Sequence, residues 1–116
     1  MKGLGELERA VMEILWARTD PATAREVSRA LSDRDLAHTT VMTVLDRLAK
    51  KDFLVRVRDG RAWSYRPAES RESYVAELML GALELTGDRD AALARFARSV
   101  TDDEAAMLRR VLEEIE

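Results

Sequence analysis

The chain has 116 residues, 47% apolar and 35% charged, with no cysteine, one histidine and a net charge of −3. That length fits one small domain, or one module with an accessory arm, and excludes a large enzyme with a second substrate domain. The lack of cysteine removes disulfides, thiolate metal sites and cysteine nucleophiles together.

The first predicted element is a helix whose apolar stripe is Leu4, Leu7, Val11, Ile14 and Leu15, ended by Asp20-Pro21. Thr23 followed by Glu26 is a capping-box signature, and it opens a short second helix with Ala24, Val27 and Leu31 inward. A third helix, about His38 to Lys51, places Val41, Val44, Leu45 and Leu48 on one face. The period then changes to two, and Phe53 to Tyr65 reads as a β-hairpin around Asp59-Gly60. Two registers fit. A two-residue Asp-Gly turn sets Val57 opposite Ala62 and puts Trp63 and Tyr65 on the arginine face. A three-residue Arg58-Asp59-Gly60 loop pairs Val55 with Trp63 and gathers Phe53, Val55, Val57, Trp63 and Tyr65 on one apolar face. The second is the preferred expectation.

The composition breaks at Arg66-Pro67-Ala68-Glu69-Ser70, which sets an expected boundary between residues 1–67 and 68–116. Three more helices follow. Val75, Leu78, Met79 and Ala82 line the first, which is expected to stop at a glycine cap near Thr86-Gly87. Leu93, Phe96, Ala97 and Val100 line the second. Thr101 and Glu104 form another capping box, and Leu108, Val111, Leu112 and Ile115 line the third. Three short helices bury little by themselves, so their stripes need a partner, and a second copy of the chain is the simplest one.

Charge is divided unevenly. Residues 1–67 carry 13 Lys and Arg against 10 Asp and Glu, whereas residues 68–116 carry 6 against 12. The local field, not the average, is what a polyanion meets. The N-terminal stretch MKGLGELERA has no apolar signal core. The longest run of apolar residues and glycine, Leu78 to Leu83, falls far short of the roughly 18 a membrane helix needs. A cytoplasmic protein without membrane insertion is expected.

Catalysis is hard to build from these residues. His38 is the lone histidine, so neither a two-histidine metal site nor a second catalytic imidazole is available. No cofactor is expected, and His38 belongs at the polar start of the third helix, within reach of a phosphate. Nucleic-acid binding has better support, because three helices and a basic hairpin follow the order of a winged helix-turn-helix. At about 100° per residue, Thr39, Met42, Thr43, Asp46 and Lys50 fall opposite the core side of the third helix, with Thr40 and Arg47 beside them. Threonines in a first helical turn sit beside free N–H groups and can bind phosphate or base edges. Arg47 can reach guanine or phosphate, and Lys50 is a point charge suited to phosphate. Asp46 opposes the field unless it pairs with Arg47 or accepts from cytosine. Arg56, Arg58 and Arg61 suit a wing that grips flanking DNA.

The run Thr39-Thr40-Val41-Met42-Thr43-Val44-Leu45-Asp46-Arg47-Leu48-Ala49-Lys50-Lys51, with Gly60-Arg61-Ala62 and Tyr65-x-Pro67 after it, resembles the BlaI/MecI family of penicillinase-type transcriptional repressors. The resemblance runs nearly end to end. It implies a mainly α fold with a small hairpin wing, followed by a helical dimerisation arm, and a homodimer on double-stranded operator dyads near β-lactamase or cell-envelope genes. By position, Thr39, Thr40, Met42, Thr43, Arg47 and Lys50 then face the groove, with Arg58 and Arg61 in the wing. Leu78, Met79, Phe96, Leu108, Val111 and Leu112 lie in or beside the dimer interface. The family is induced through a sensor-linked protease that leads to cleavage in the arm, and the matching bond here is Arg95–Phe96. Phe96 also reads plainly as core of its helix. A ligand-responsive winged-helix regulator and a protein–protein module without DNA are the competing readings.

Overall fold

The computed structural model describes residues 3–116. Its elements run α1 (Glu6–Trp16), β1 (Ala22–Thr23), α2 (Ala24–Ala30), α3 (His38–Lys50), β2 (Leu54–Asp59), β3 (Ala62–Pro67), α4 (Arg71–Ala82), α5 (Arg89–Ser99) and α6 (Asp102–Glu114). The three strands form one antiparallel sheet in the order β1-β3-β2. The expected mainly helical, winged architecture is what the chain adopts.

The chain forms two compact units, one reaching Leu78 and the other running from Met79 to Glu116. In the first, Val11, Met12 and Leu15 of α1, Val27 of α2, and Val41, Val44, Leu45 and Leu48 of α3 make a closed core with Leu54 and Tyr65. The Thr23–Glu26 capping box forms as expected: Glu26 N–H donates to Thr23 Oγ1 at 3.2 Å, and Thr23 N–H donates to Glu26 Oε1 at 3.0 Å. These contacts hold the Glu26 carboxyl below the ordinary glutamate range, the Thr23 N–H contributing most.

Helix α3 leaves through a Schellman turn. Phe53 N–H donates to Leu48 O at 3.0 Å, and Asp52 N–H to Ala49 O at 3.1 Å. Asp52 takes the left-handed position of that turn, with φ 68°, where glycine is the usual occupant. A second left-handed aspartate, Asp35 with φ 50°, lies ahead of α3.

The hairpin departs from both expected registers. Asp59 pairs with Ala62, Arg58 with Trp63, Val57 with Ser64 and Arg56 with Tyr65. The loop is therefore Gly60-Arg61, with Gly60 at φ 64°, a left-handed first position that favours glycine. The expected apolar face of Phe53, Val55, Val57, Trp63 and Tyr65 does not form. Leu54 and Tyr65 are buried, while Trp63 shares its face with the arginines and stays exposed. Pairing of Ala22 with Tyr65 and Thr23 with Ser64 ties β1 to β3, a long-range constraint.

The first unit extends beyond β3 because α4 begins packed on it. Tyr74 is buried, with its ring centroid 5.6 Å from Trp16 and 5.9 Å from Phe53. Trp16 Nε1 donates to Glu69 O at 3.0 Å, and Arg71 pairs with Glu13. Val75, an expected inward residue, is exposed, because Tyr74 takes the inward place.

The second unit is built differently. The Thr101–Glu104 capping box forms, and Asp88 caps α5 by accepting from Ala91 N–H at 3.1 Å. The expected glycine cap at Gly87 does not: α4 ends at Ala82 and passes through a 3₁₀ turn, Leu83–Leu85. Neither α5 nor α6 has a buried residue. Among the described residues, no helix is long and apolar enough to cross a membrane.

Candidate nucleic-acid interface

The inward side chains of α3 fix its outward face. With Val41, Val44, Leu45 and Leu48 in the core, Thr39, Thr40, Met42, Thr43, Arg47 and Lys50 all stand exposed on one helix. The cap residue Ala37 offers no side-chain oxygen to the first turn, and of the first-turn amides Thr40 N–H donates to Ala37 O at 3.0 Å. Thr43 Oγ1 donates to Thr39 O at 2.8 Å, so toward a base Thr43 presents its methyl group and acceptor lone pairs.

Charge on this face is organised by one carboxylate. Asp46 pairs with Arg56 from β2 and, at 3.6 Å, with Lys50 one turn along α3. Of the two roles left open for Asp46, pairing with Arg47 is not the one adopted, because the wing brings the Arg56 guanidinium to the carboxylate instead. Arg58 lies 5.0 Å from the Trp63 ring centroid and Arg56 lies 5.7 Å from it. Arg58 Nε also donates to Gly60 O at 3.1 Å, which orders the base of the loop.

Between the start of α2, α3 and the wing opens a cleft of about 550 Å³, lined by Arg25, His38, Met42, Arg61, Trp63 and Tyr65 among others. Ser28 Oγ lies 3.2 Å from His38 Nδ1 at its edge. Arg25 and Trp63 belong to this surface but escape a reading of the sequence. Arg25 lies on α2, away from the third helix and hairpin from which the basic surface was read, and Trp63 reads as core under the wrong register. Arg58 and Arg61 are exposed where the wing was expected to present them.

Behind the face, Glu8 of α1 anchors the end of α3. It is almost fully buried and accepts from Gly5 N–H at 2.9 Å and from Lys51 Nζ at 3.0 Å. Burial pushes its carboxyl upward, but the Gly5 N–H, the Lys51 ammonium and the charge of Arg47 outweigh that and hold it below the usual range. Among the described residues, no group of three His, Asp or Glu side chains is placed to hold a metal ion.

The arm residues are exposed as well. Met79, Phe96, Leu108, Val111 and Leu112 all face solvent, and Leu78 is half-buried. Met79, Phe96, Val100, Met107 and Leu108 line a groove of about 610 Å³ in the second unit, with Asp103 and Glu104 at its rim. Arg95–Phe96 lies inside α5.

The family model described as penicillinase repressor matches residues 4–114. The chain belongs to the penicillinase repressor family. Within it, the transcriptional regulator BlaI of Mycobacterium tuberculosis is 56% identical over 117 residues, covering 97% of this chain and 85% of the relative. Two solved structures share the first part of the fold. The solution structure of the DNA-binding domain of the repressor BlaI has a TM-score of 0.54 at 29% identity, over 64% of this chain and 94% of that one. The Bacillus licheniformis BlaI monomeric form in complex with the blaP half-operator has a TM-score of 0.53 at 28% identity, over 63% and 89%. This penicillinase repressor family member is thus a BlaI-type transcriptional regulator whose first unit is a winged helix.

Proposed function

We propose that the chain is a homodimeric repressor that binds an operator dyad, each protomer placing α3 in the major groove of one half-site and its wing on the flanking backbone. The observation that carries this reading is the exposed face of α3, where Thr39, Thr40, Met42, Thr43, Arg47 and Lys50 stand beside Arg58 and Arg61 of the wing. Hydroxyl, methyl and guanidinium groups on one helix match the edges a major groove presents. The relative bound to a half-operator as a monomer supports one protomer per half-site.

The arm supplies the second protomer. Leu78, Met79, Phe96, Leu108, Val111 and Leu112 are the proposed contacts, supported by an apolar face on α6 that its own unit leaves in water. Repression follows from occlusion of promoters, those of β-lactamase or cell-envelope genes by family membership. Release follows from signal-dependent cleavage in the arm, with Arg95–Phe96 as the proposed bond. Because that bond sits in a helix, cutting requires α5 to open locally.

Selection from a random duplex pool by the purified protein tests the reading. An inverted repeat with half-sites about one helical turn apart, bound with an affinity that falls steeply with salt, is the expected result. Recovery of no sequence, together with binding indifferent to salt, would overturn it in favour of a protein–protein module.

A further inference from the structure

A carboxylate on a surface built to meet a polyanion repels it, and Asp46 sits in the middle of the outward face of α3. It is half-buried, and both of its oxygens are engaged. Oδ1 pairs with Arg56, which comes from β2, and Oδ2 lies 3.6 Å from Lys50 Nζ. The chain of contacts continues outward. Arg56 lies over Trp63, Trp63 carries Arg58, and Arg58 holds the Gly60 carbonyl of the loop. One line of side chains thus runs from the middle of α3 to the end of the wing, and Asp46 is its point of attachment to the helix.

Such a pair adds little to folding, because the Asp46 and Arg56 side chains remain 45% and 37% exposed. Its effect falls on geometry and on charge. The geometric effect is to set the wing at one angle to α3. The electrostatic effect is to keep Arg56 occupied, so that it does not grip a phosphate within reach, while Lys50, 76% exposed, stays available to the DNA.

We propose that Asp46 is a specificity-determining positioning residue, which ties the wing to α3 and restrains Arg56 from sequence-blind contact with the DNA backbone. The inference rests on the DNA-binding reading above. Its sign is opposite to that of an ordinary contact residue. Losing Asp46 strengthens binding to random DNA while degrading the preference for the operator. Each cation released onto a phosphate steepens the salt dependence by about 0.9 in log–log slope.

The test uses the full chain as wild type and as Asp46→Asn, Asp46→Glu and Arg56→Gln. Each is titrated with the inverted-repeat duplex recovered by selection and with a scrambled duplex of equal length, across a range of salt. Asp46→Asn is expected to bind the scrambled duplex roughly threefold or more tightly at low salt, with a slope steeper by about one. Its operator-to-scrambled ratio is expected to fall at least about threefold, since a wrong wing angle forfeits part of a base or backbone contact. Asp46→Glu keeps the charge and restores most of the ratio. Arg56→Gln lowers the ratio without tightening scrambled binding. Melting temperatures within about 4 °C of wild type set these effects apart from misfolding. An unchanged ratio and slope in Asp46→Asn overturns the proposal, as does an equal loss on both duplexes with a collapsed melting temperature. Wild type that prefers no duplex removes the DNA-binding reading itself, a result distinct from either.

Discussion

The two units carry the same helical code to opposite ends. Val41, Val44, Leu45 and Leu48 of α3 are all at most 5% exposed, whereas Leu108, Val111, Leu112 and Ile115 of α6 are 42–74% exposed at comparable spacing. Both stripes have a helical period, and both helices are amphipathic. Periodicity therefore records which side chains gain by leaving water, and is silent on which molecule supplies the cover. In the first unit the cover is the rest of the winged helix, closed by Tyr74 against Trp16 and Phe53. In the second, the proposed cover is another protomer.

The sharpest way to break that contrast is to truncate one leucine in each stripe. Leu45→Ala is expected to lower stability by about 2–5 kcal/mol through a cavity the core cannot refill. Leu112→Ala in dilute protein is expected to cost under about 0.5 kcal/mol, as a surface change does. Urea midpoints measure both, and equal losses would abolish the distinction.

Charge placed on the exposed stripe comes next. Leu108→Asp should weaken self-association by about tenfold or more, read by sedimentation, with helical content unchanged. An unaltered association constant would take α6 out of the interface. Arg47→Ala should do the converse. It leaves association intact and weakens operator binding by roughly 1–3 kcal/mol, measured by fluorescence anisotropy.

Two smaller effects sharpen the account of the first unit. Glu8→Gln is expected to lower stability by about 1–2 kcal/mol at pH 7, since a hydrogen-bonded charge pair is lost. The Glu8 carboxyl is held down in the folded state, so its contribution is complete above the unfolded value of about 4.3 and disappears as pH falls through the folded value. Denaturation at pH 7 and pH 3 should therefore show the two proteins converging. A deficit undiminished at pH 3 would assign the effect to packing instead. Asp35→Gly has the opposite sign. It relieves a left-handed aspartate ahead of α3 and should raise stability by about 0.5–1 kcal/mol.

Local signals were legible in the sequence, and long-range ones were not. The caps at Thr23 and Thr101 need only a residue three places on, and the inward face of α3 needs only its own period; both formed. Hairpin register depends on β1 pairing with β3 and on the carboxylate that meets Arg56, and neither lies next to the turn. Tyr74 escaped notice because its pocket is assembled by Trp16 and Phe53, far off in the chain. The outward residues of α3 follow from its own period, whereas the partner of Asp46 comes from a strand that the period cannot place. Helical period fixes direction, and only the tertiary fold fixes neighbours.

The aspartates at 35 and 52 have a consequence for how this surface can change over time. Each turns the backbone through a left-handed corner, one ahead of α3 and one directly behind it. Between them the helix is seated by four core side chains, none of which reaches the outward face. Its length, seating and exit are thus settled without reference to the side chains of Thr39, Thr40, Met42 or Thr43. On the proposed DNA-binding reading, those positions form a replaceable cassette, in which a lineage can rewrite the recognised sequence while the frame that presents it stays the same.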